Sequence, residues 1–228
     1  MENAHGEGSL TMPRESVLHK VRTALARKVG QPPAPAPPPR LSIPELEPQA
    51  RWERFARALE KLGGKAQRVS SPAEAGRAVA ALIGDRPAVA SEAPYLAECG
   101  ITRLPSVQSG FRDPAALRAA CAAAEFGITS ADYALADTGT LVIASSPREP
   151  RLISLLPPVH VAVLPAERLL TGLDELLALA PAPAERTSAL VLITGPSRTA
   201  DIEQILVRGV HGPGQIHVIV VDGRETTG

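Results

Sequence analysis

The chain has 228 residues, enough for one substantial α/β domain or two small ones. Its 24 basic and 24 acidic residues cancel, and no basic patch is interleaved with aromatic residues, so nucleic acid is not an expected partner. No apolar run approaches the ~18 residues of a membrane span, and the N-terminus lacks the basic start and apolar core of a signal peptide. These patterns predict a cytoplasmic protein without a membrane span.

Three segments differ in composition. Residues 1–30 are predicted to form a flexible tail and a helix, because apolar residues recur at helical spacing between Arg14 and Val29. Residues 31–48 are rich in proline, which favours an extended linker. Residues 49–222 are predicted to form the folded domain. The N-terminal helix has two open roles, packing on its own domain or docking on another chain.

From residue 49 onward, helices alternate with short apolar strands. The predicted helices lie near Arg51–Leu62, from Pro72 to Ile83, at Pro94–Cys99, from Pro114 to Ala124, and at Ala166–Leu179. The predicted strands are Ala66–Val69, Ala88–Ala90, Phe126–Thr129, Tyr133–Ala136, Leu141–Ala144, Arg151–Leu156, His160–Leu164, Ala189–Ile193 and Ile216–Val221. This order predicts an α/β fold with an open, largely parallel sheet and helices on both faces. Strands without intervening helices at 133–164 predict an antiparallel excursion.

The stretch from Ile193 to Val221 is the first candidate site. A polar loop, 194–199, follows a strand, and an amphipathic run from Asp201 to Val207 predicts a helix after it. A helix start presents free N–H groups to an anion. Capping by Ser197 or Thr199 is the structural alternative, but Arg198 at a helix start needs an anionic partner. The candidate ligand-binding residues here are Gly195, Ser197, Arg198, Thr199, Asp201 and, in the next turn, Gly212.

A second candidate site is the turn Asp137–Thr140, which separates two apolar strands. It is either a plain turn or an anion site built from the hydroxyls of Thr138 and Thr140 and the N–H of Gly139. Asp137, which starts this turn, is a candidate base.

The histidines and cysteines limit the kinds of site that the chain is expected to form. His160 and His211 are candidate acid–base or interface residues. No metal site is expected, because no two histidines are spaced as HxH or as an i, i+4 pair, the spacings typical of metal ligands. Cys99 and Cys121 are the only cysteines, too few for an iron–sulfur cluster, and they are interpreted as buried thiols.

Three motifs in order resemble the LUD domain of the lactate-utilisation protein C family. They are ADYALADTGTLVIASS, RLISLLPPVHVAVLP and ITGPSRTADIEQILVRGVHGPGQIHVIVV. The resemblance implies a fold similar to that of ribose-5-phosphate isomerase, glucosamine-6-phosphate deaminase and CoA transferases. The motif positions carried over are Thr138, Gly139, Thr140, Gly195, Ser197, Arg198, Thr199, Asp201, His211 and Gly212.

The resemblance also implies a function. The family is one component of a system that oxidises L-lactate to pyruvate, and its two partner proteins carry the iron–sulfur clusters. This chain would then be the cluster-free member, which binds a small carboxylate or organises its partners. Two alternatives are open: a stand-alone enzyme acting on a phosphosugar or an acyl-CoA, and a pure scaffold subunit.

Overall fold

The computed structural model describes residues 14–32, 46–180, 183–199 and 207–223. The chain divides into two compact units, residues 1–38 and residues 39–228. In the first unit, helix α1 spans Arg14–Ala24 and buries none of its residues. The prediction of a proline-rich linker falls mainly on residues 33–45, which lie outside the described residues.

The second unit holds the other helices and the strands. The helices are α2 (Pro48–Lys61), α3 (Pro72–Ile83), α4 (Pro94–Glu98), α5 (Pro114–Ala123) and α6 (Leu173–Leu179). The strands are β1 (Lys65–Val69), β2 (Ala88–Ala90), β3 (Val107–Gln108), β4 (Phe126–Ser130), β5 (Tyr133–Leu135), β6 (Thr140–Ala144), β7 (Val159–Pro165), β8 (Leu169–Leu170), β9 (Leu190–Ile193), β10 (Arg198–Thr199), β11 (Val207–Arg208) and β12 (Gln215–Val221). No helix among the described residues is long and apolar enough to cross a membrane.

A six-stranded sheet forms the centre of this unit, in the order β1-β12-β7-β4-β2-β3. Every pairing in it is parallel. One face packs against α3 and α4, and the other packs against α2 and a second sheet. The strands β7 and β12 are mostly apolar because nearly all of their residues are buried, on both faces of the sheet. The prediction of an α/β fold with a largely parallel sheet is confirmed.

The antiparallel excursion is a hairpin of β5 and β6, and it belongs to a separate sheet rather than to the central one. This second sheet has the order β8-β5-β6-β9. Strand β6 pairs antiparallel with both β5 and β9. Its inner face shares a hydrophobic cluster with the central sheet, and α6 covers part of its outer face through Leu176.

Three predicted elements differ from the structure. Residues 151–154 form a short 3-10 helix instead of a strand, and Ile153 O lies against the backbone of Gly127. The predicted helix Ala166–Leu179 is divided into a 3-10 turn, β8 and α6, because β8 pairs with β5 and Gly172 precedes the helix.

The third difference concerns the polar loop after β9. It leads into β10, which pairs antiparallel with β11, so the predicted helix start at residues 197–199 is wrong. The predicted helix itself falls largely on residues 200–206, which lie outside the described residues together with Asp201.

Candidate functional site

A cavity of about 440 Å³ lies where β4, β6 and β7 end. Parallel strands direct their carboxyl ends to one edge of the sheet, which is where open α/β sheets bind ligands. The loop that follows β6 closes one side of the cavity. The lining residues are Ala93, Pro94, Tyr95, Ser130, Ala131, Asp132, Ala144, Ser145, Ser146, Arg148, Glu149, Pro165, Arg168, Arg186 and Thr187.

Glu149 is the buried acid of this cavity, and only 6% of it is exposed. Its Oε2 accepts hydrogen bonds from Ser91 Oγ at 2.8 Å and from the backbone N–H of Ser130 at 3.3 Å. Its Oε1 is buried and has no hydrogen-bond partner among the described residues. A buried polar atom without a partner is costly, so Oε1 is the atom of the cavity wall that most needs a ligand.

A tight turn holds Glu149 in this position. The backbone N–H of Glu149 donates to Ser146 Oγ at 3.0 Å and to Ser146 O at 3.1 Å, and the N–H of Ser146 donates back to Glu149 O. The backbone N–H of Glu92 donates to Arg148 O at 2.8 Å. These bonds tie the loop after β6 to the end of β2, so the carboxyl group is fixed against two strand ends.

Burial raises the pKa of Glu149 from 4.5 to about 8, and the negative charge of Asp132 acts in the same direction. The hydrogen bonds from Ser91 and Ser130 lower this pKa, but by less than burial raises it. At neutral pH the carboxyl group therefore carries its proton most of the time. Glu149 is then a neutral hydrogen-bond donor that can approach an anion.

Asp132 lines the same cavity and connects it to the second sheet. Its Oδ2 accepts a hydrogen bond from the backbone N–H of Ala144 at 2.7 Å. Burial raises the pKa of this carboxyl group, while the Ala144 hydrogen bond and the charge of Arg168 lower it. The interaction keeps the end of β6 beside β4, which places the next residue, Ser145, in the cavity wall.

Three arginines, Arg148, Arg168 and Arg186, form the exposed rim of the cavity. Arg168 is oriented by a hydrogen bond from Nη1 to Asp132 O at 3.2 Å and by the ring of Tyr133, whose centroid lies 5.5 Å from its guanidinium. Among the described residues, none of the three arginines forms an ion pair with a carboxylate. A rim of guanidinium groups that have no carboxylate partner in the described part of the chain suits an anion, since arginine binds carboxylate and phosphate bidentately.

Metal chemistry has no comparable support in this part of the chain. Within the described ranges, no group of three His, Cys, Asp or Glu side chains could hold a metal ion.

The turn Asp137–Thr140 lies at the opposite end of β6 from the cavity. Hydroxyl groups form a chain there, with Thr140 Oγ1 2.8 Å from Thr138 Oγ1 and 2.9 Å from Thr194 Oγ1. The N–H of Gly139 donates to Leu135 O, so it is not available to an anion. This turn packs against α2, because a Cβ at Gly139 would lie 2.5 Å from Leu59 N.

The loop after β9 reaches the same end of the molecule. Gly195 lies against Leu62, and the guanidinium Nη2 of Arg198 donates to Leu62 O at the C-terminal end of α2. A cation at a helix C-terminus is favourable, so the partner that Arg198 requires is supplied by carbonyl groups. The N–H of Ser197 donates to Pro213 O, next to Gly212. The backbone of Thr199 forms the second residue of β10.

The structure thus brings the candidate residues of the two turns together around α2, but away from the cavity. Asp137, Thr138 and Thr194 line an open groove of about 710 Å³. Its other wall is formed by α2 and carries Arg54, Arg57 and Lys61. That these residues bind a ligand stays a prediction.

The two candidate acid–base histidines lie in different environments, one buried and one exposed. His160 is fully buried in β7, with Nε2 2.8 Å from Thr129 Oγ1 and with Nδ1 unpartnered among the described residues. Burial lowers its pKa to about 4, so its ring is neutral in the folded protein at neutral pH. His211 lies exposed in the turn before β12. Neither residue lines the cavity.

Sequence reasoning missed the cavity's main residues, namely Glu149, Asp132, Arg168 and Arg186. One signal was available, because Ser145 and Ser146 follow a predicted strand and strand ends are where ligands bind. The burial of Glu149 has no local signal, since it depends on Ser91 and Ser130 from two distant strands.

By class, then, this is an open-sheet α/β protein with a polar, arginine-rimmed cavity beyond the carboxyl ends of its strands. The family model for the LUD domain matches residues 52–221, and the chain belongs to the LUD domain family. A crystal structure of a DUF162 family protein from Deinococcus radiodurans shares the fold, with a TM-score of 0.59 and 22% identity. The match covers 77% of this chain and 99% of that one.

Curated relatives confirm the resemblance to lactate-utilisation protein C. Lactate utilization protein C of Halalkalibacterium halodurans is 44% identical over 105 residues, which make up 44% of this chain and 46% of that protein. The protein of the same name from Geobacillus kaustophilus is 34% identical over 158 residues, or 63% of this chain and 66% of that protein. The chain therefore spans about half the length of the first relative and 66% of the second.

Proposed function

We propose that this protein is a component of a lactate-oxidising system and that its cavity binds a small carboxylate, lactate or pyruvate. The observation that carries the proposal is the buried acid Glu149, which lines a cavity rimmed by arginines and whose Oε1 has no hydrogen-bond partner among the described residues. Support for lactate comes from the relatives named lactate utilization protein C.

The carboxylate of the ligand pairs with a rim arginine, either Arg168 or Arg186, through a bidentate contact. Protonated Glu149 donates from Oε1 to an oxygen of the same ligand, and Ser145 Oγ, a buried atom with no partner in the described part of the chain, supplies a second hydrogen bond. The neutral form of Glu149 binds the anion more tightly than the ionised form, because an ionised Glu149 repels it.

Oxidation of lactate to pyruvate removes two electrons and two protons. With its pKa near 8, Glu149 is suited to exchange the hydroxyl proton, once its own proton has left, near neutral pH. The proton of the broken C–H bond and the two electrons would be taken up by partner proteins that carry iron–sulfur clusters, since this chain has only two cysteines, too few for a cluster of its own. Both thiols are buried, and burial raises the pKa of Cys99 to about 11.

The first test is calorimetric titration of the full chain with lactate and pyruvate. Arg168→Gln is expected to weaken binding by roughly tenfold, the loss of one charge-assisted hydrogen bond. Affinity should fall as the pH rises through about 8, and Glu149→Gln should keep its affinity across that range. Arg118→Gln is the matched control, because Arg118 is exposed on α5 and does not line the cavity.

Equal affinity in Arg168→Gln, Arg186→Gln and Arg118→Gln would overturn the carboxylate site.

The lactate-oxidising system itself is tested by purifying the tagged protein from its native host grown on lactate. A brown eluate that reduces a dye only when lactate is added is expected. Glu149→Gln should stop this reduction while lactate still binds. A colourless, inactive eluate would contradict the assignment to an iron–sulfur system.

A further inference from the structure

A second opening, a cleft of about 700 Å³, adjoins the cavity. The two share the lining residues Ser145, Ser146, Arg186 and Thr187. Thr187 Oγ1 lies 2.7 Å from Ser145 O and 2.9 Å from Ala189 O, to which it donates, and it accepts from the N–H of Ala189 at 3.2 Å. These hydrogen bonds hold in place the residues that line both openings, so the cavity and the cleft lie side by side.

The cleft has a different charge pattern from the cavity. It carries the guanidinium groups of Arg151 and Arg186 and the hydroxyl groups of Ser146 and Ser188. No carboxylate side chain is found among its described lining residues. Arg151 is exposed and, within the part of the chain that the structure describes, forms no ion pair. Two unpaired arginines and several hydroxyl donors without an acid suit the dianionic charge of a phosphate.

Ser145 lines both openings, and its hydroxyl group is a candidate contact for a ligand. Its Oγ is buried and has no hydrogen-bond partner among the described residues, although its backbone N–H donates to Ala189 O and its backbone O accepts from Thr187 Oγ1. A ligand that crosses from cavity to cleft would pass this hydroxyl and satisfy it. A cavity of 440 Å³ is also within the range that takes drug-sized ligands, of which lactate fills only a part.

We propose that the cleft is a phosphate subsite, so that cavity and cleft together recognise an organic acid that bears both a carboxylate and a phosphate. This inference rests on the proposed function for the carboxylate half of the site. Arg168 serves the carboxylate, Arg151 serves the phosphate, and Arg186 contributes to both, because it lines both openings.

The test is calorimetric titration of the full chain with a matched pair, glycerate and glycerate phosphorylated on its terminal hydroxyl. The phosphorylated acid should bind at least tenfold more tightly, the gain of one charge-assisted contact. Arg151→Gln should remove this gain and leave the affinity for glycerate unchanged. Arg168→Gln should weaken both ligands, and Arg118→Gln should weaken neither.

One further titration separates the sources of the phosphate. Inorganic phosphate added with lactate should bind more weakly than the phosphorylated acid if one ligand spans both openings. Equal affinity for the two acids, or an Arg151→Gln variant that behaves like the parent with both, would overturn the subsite. If glycerate, lactate and pyruvate all fail to bind while the phosphorylated acid binds and responds to Arg151→Gln, the subsite stands and the lactate proposal fails.

Discussion

At the level of single residues, Glu149 couples the cavity to the stability of the fold. Its pKa is about 8 in the folded protein and 4.5 as the ordinary value. The folded state therefore holds a proton that the unfolded state has lost between these two values. The stability that this proton provides is complete below pH 4.5 and is lost as the pH rises through 8. His160 has the opposite effect, because its folded pKa of about 4 lies below 6.5. Its contribution is complete above pH 6.5 and is lost as the pH falls toward 4.

Glu149→Gln is therefore expected to stabilise the protein in alkaline buffer. The amide imitates the protonated acid and removes the cost of ionising a buried group. Between pH 6.5 and 8, where the contribution of His160 no longer changes with pH, the melting temperature of the parent should fall with pH and that of the variant should stay level. From pH 6.5 to pH 8 the difference between the two proteins should grow by about 2 kcal/mol, or about 4–8 °C in a domain of this size. Differential scanning calorimetry across this range measures it, and parallel curves for the two proteins would contradict it.

At the level of elements, the turn between β5 and β6 depends on Gly139. Its φ of +67° is a conformation that side chains rarely adopt, and the turn lies directly on the backbone of α2. Gly100 is a matched control, because its φ is +74° and an added Cβ would meet nothing within 4 Å.

Gly139→Ala should cost about 1 kcal/mol more than Gly100→Ala, or greater, when both are compared with the parent. Each alanine adds the strain of a left-handed conformation, roughly 1–2 kcal/mol. Only the alanine at 139 also pushes against Leu59 N, which cannot move without displacing α2. Urea denaturation of the three proteins supplies the free energies of unfolding. Equal losses in the two variants would show that the turn does not press on α2.

Elements with strong local signals are those that the sequence predicts well. Ser71 before Pro72 marks the start of α3, and Ser71 Oγ indeed accepts from the N–H of Glu74. The predicted helix at 166–179 is wrong only in its first half, for the opposite reason: Leu169 and Leu170 have helical spacing with Leu173, but pairing with β5 places them in a strand. Backbone pairing between distant segments decides such cases, and no local pattern records it.

The same distinction holds for the candidate site. Polar turns with glycine are visible in the sequence, and the structure does cluster two of them, but around the end of α2. The cavity instead depends on the spatial order of β2, β4 and β7, which places Ser91 and Ser130 beside Glu149. Strand order is a property of the whole sheet, so the position of a buried acid at its edge could not be read from residue spacing.

For the whole molecule, the hydrophobic clusters indicate where the stability resides. All of their members, buried or partly buried, lie between Trp52 and Val221. Helix α1 contributes no buried residue, and its Val17 and Val21 are each almost half exposed. The free energy of unfolding should therefore reside almost entirely in the second unit.

A chain shortened to residues 39–228 is expected to fold and to melt within about 2 °C of the full chain, since a loss below ~0.5 kcal/mol corresponds to a shift of that size. It should also bind lactate or the phosphorylated acid with the same affinity, because every residue that lines the cavity and the cleft is retained. Calorimetric melting and titration of both chains test the two statements. A lower melting temperature would mean that residues 1–38 stabilise the α/β unit, and the helix would then have to pack on its own domain. An unchanged temperature leaves the apolar stripe of α1 available to another chain, the second of its two predicted roles.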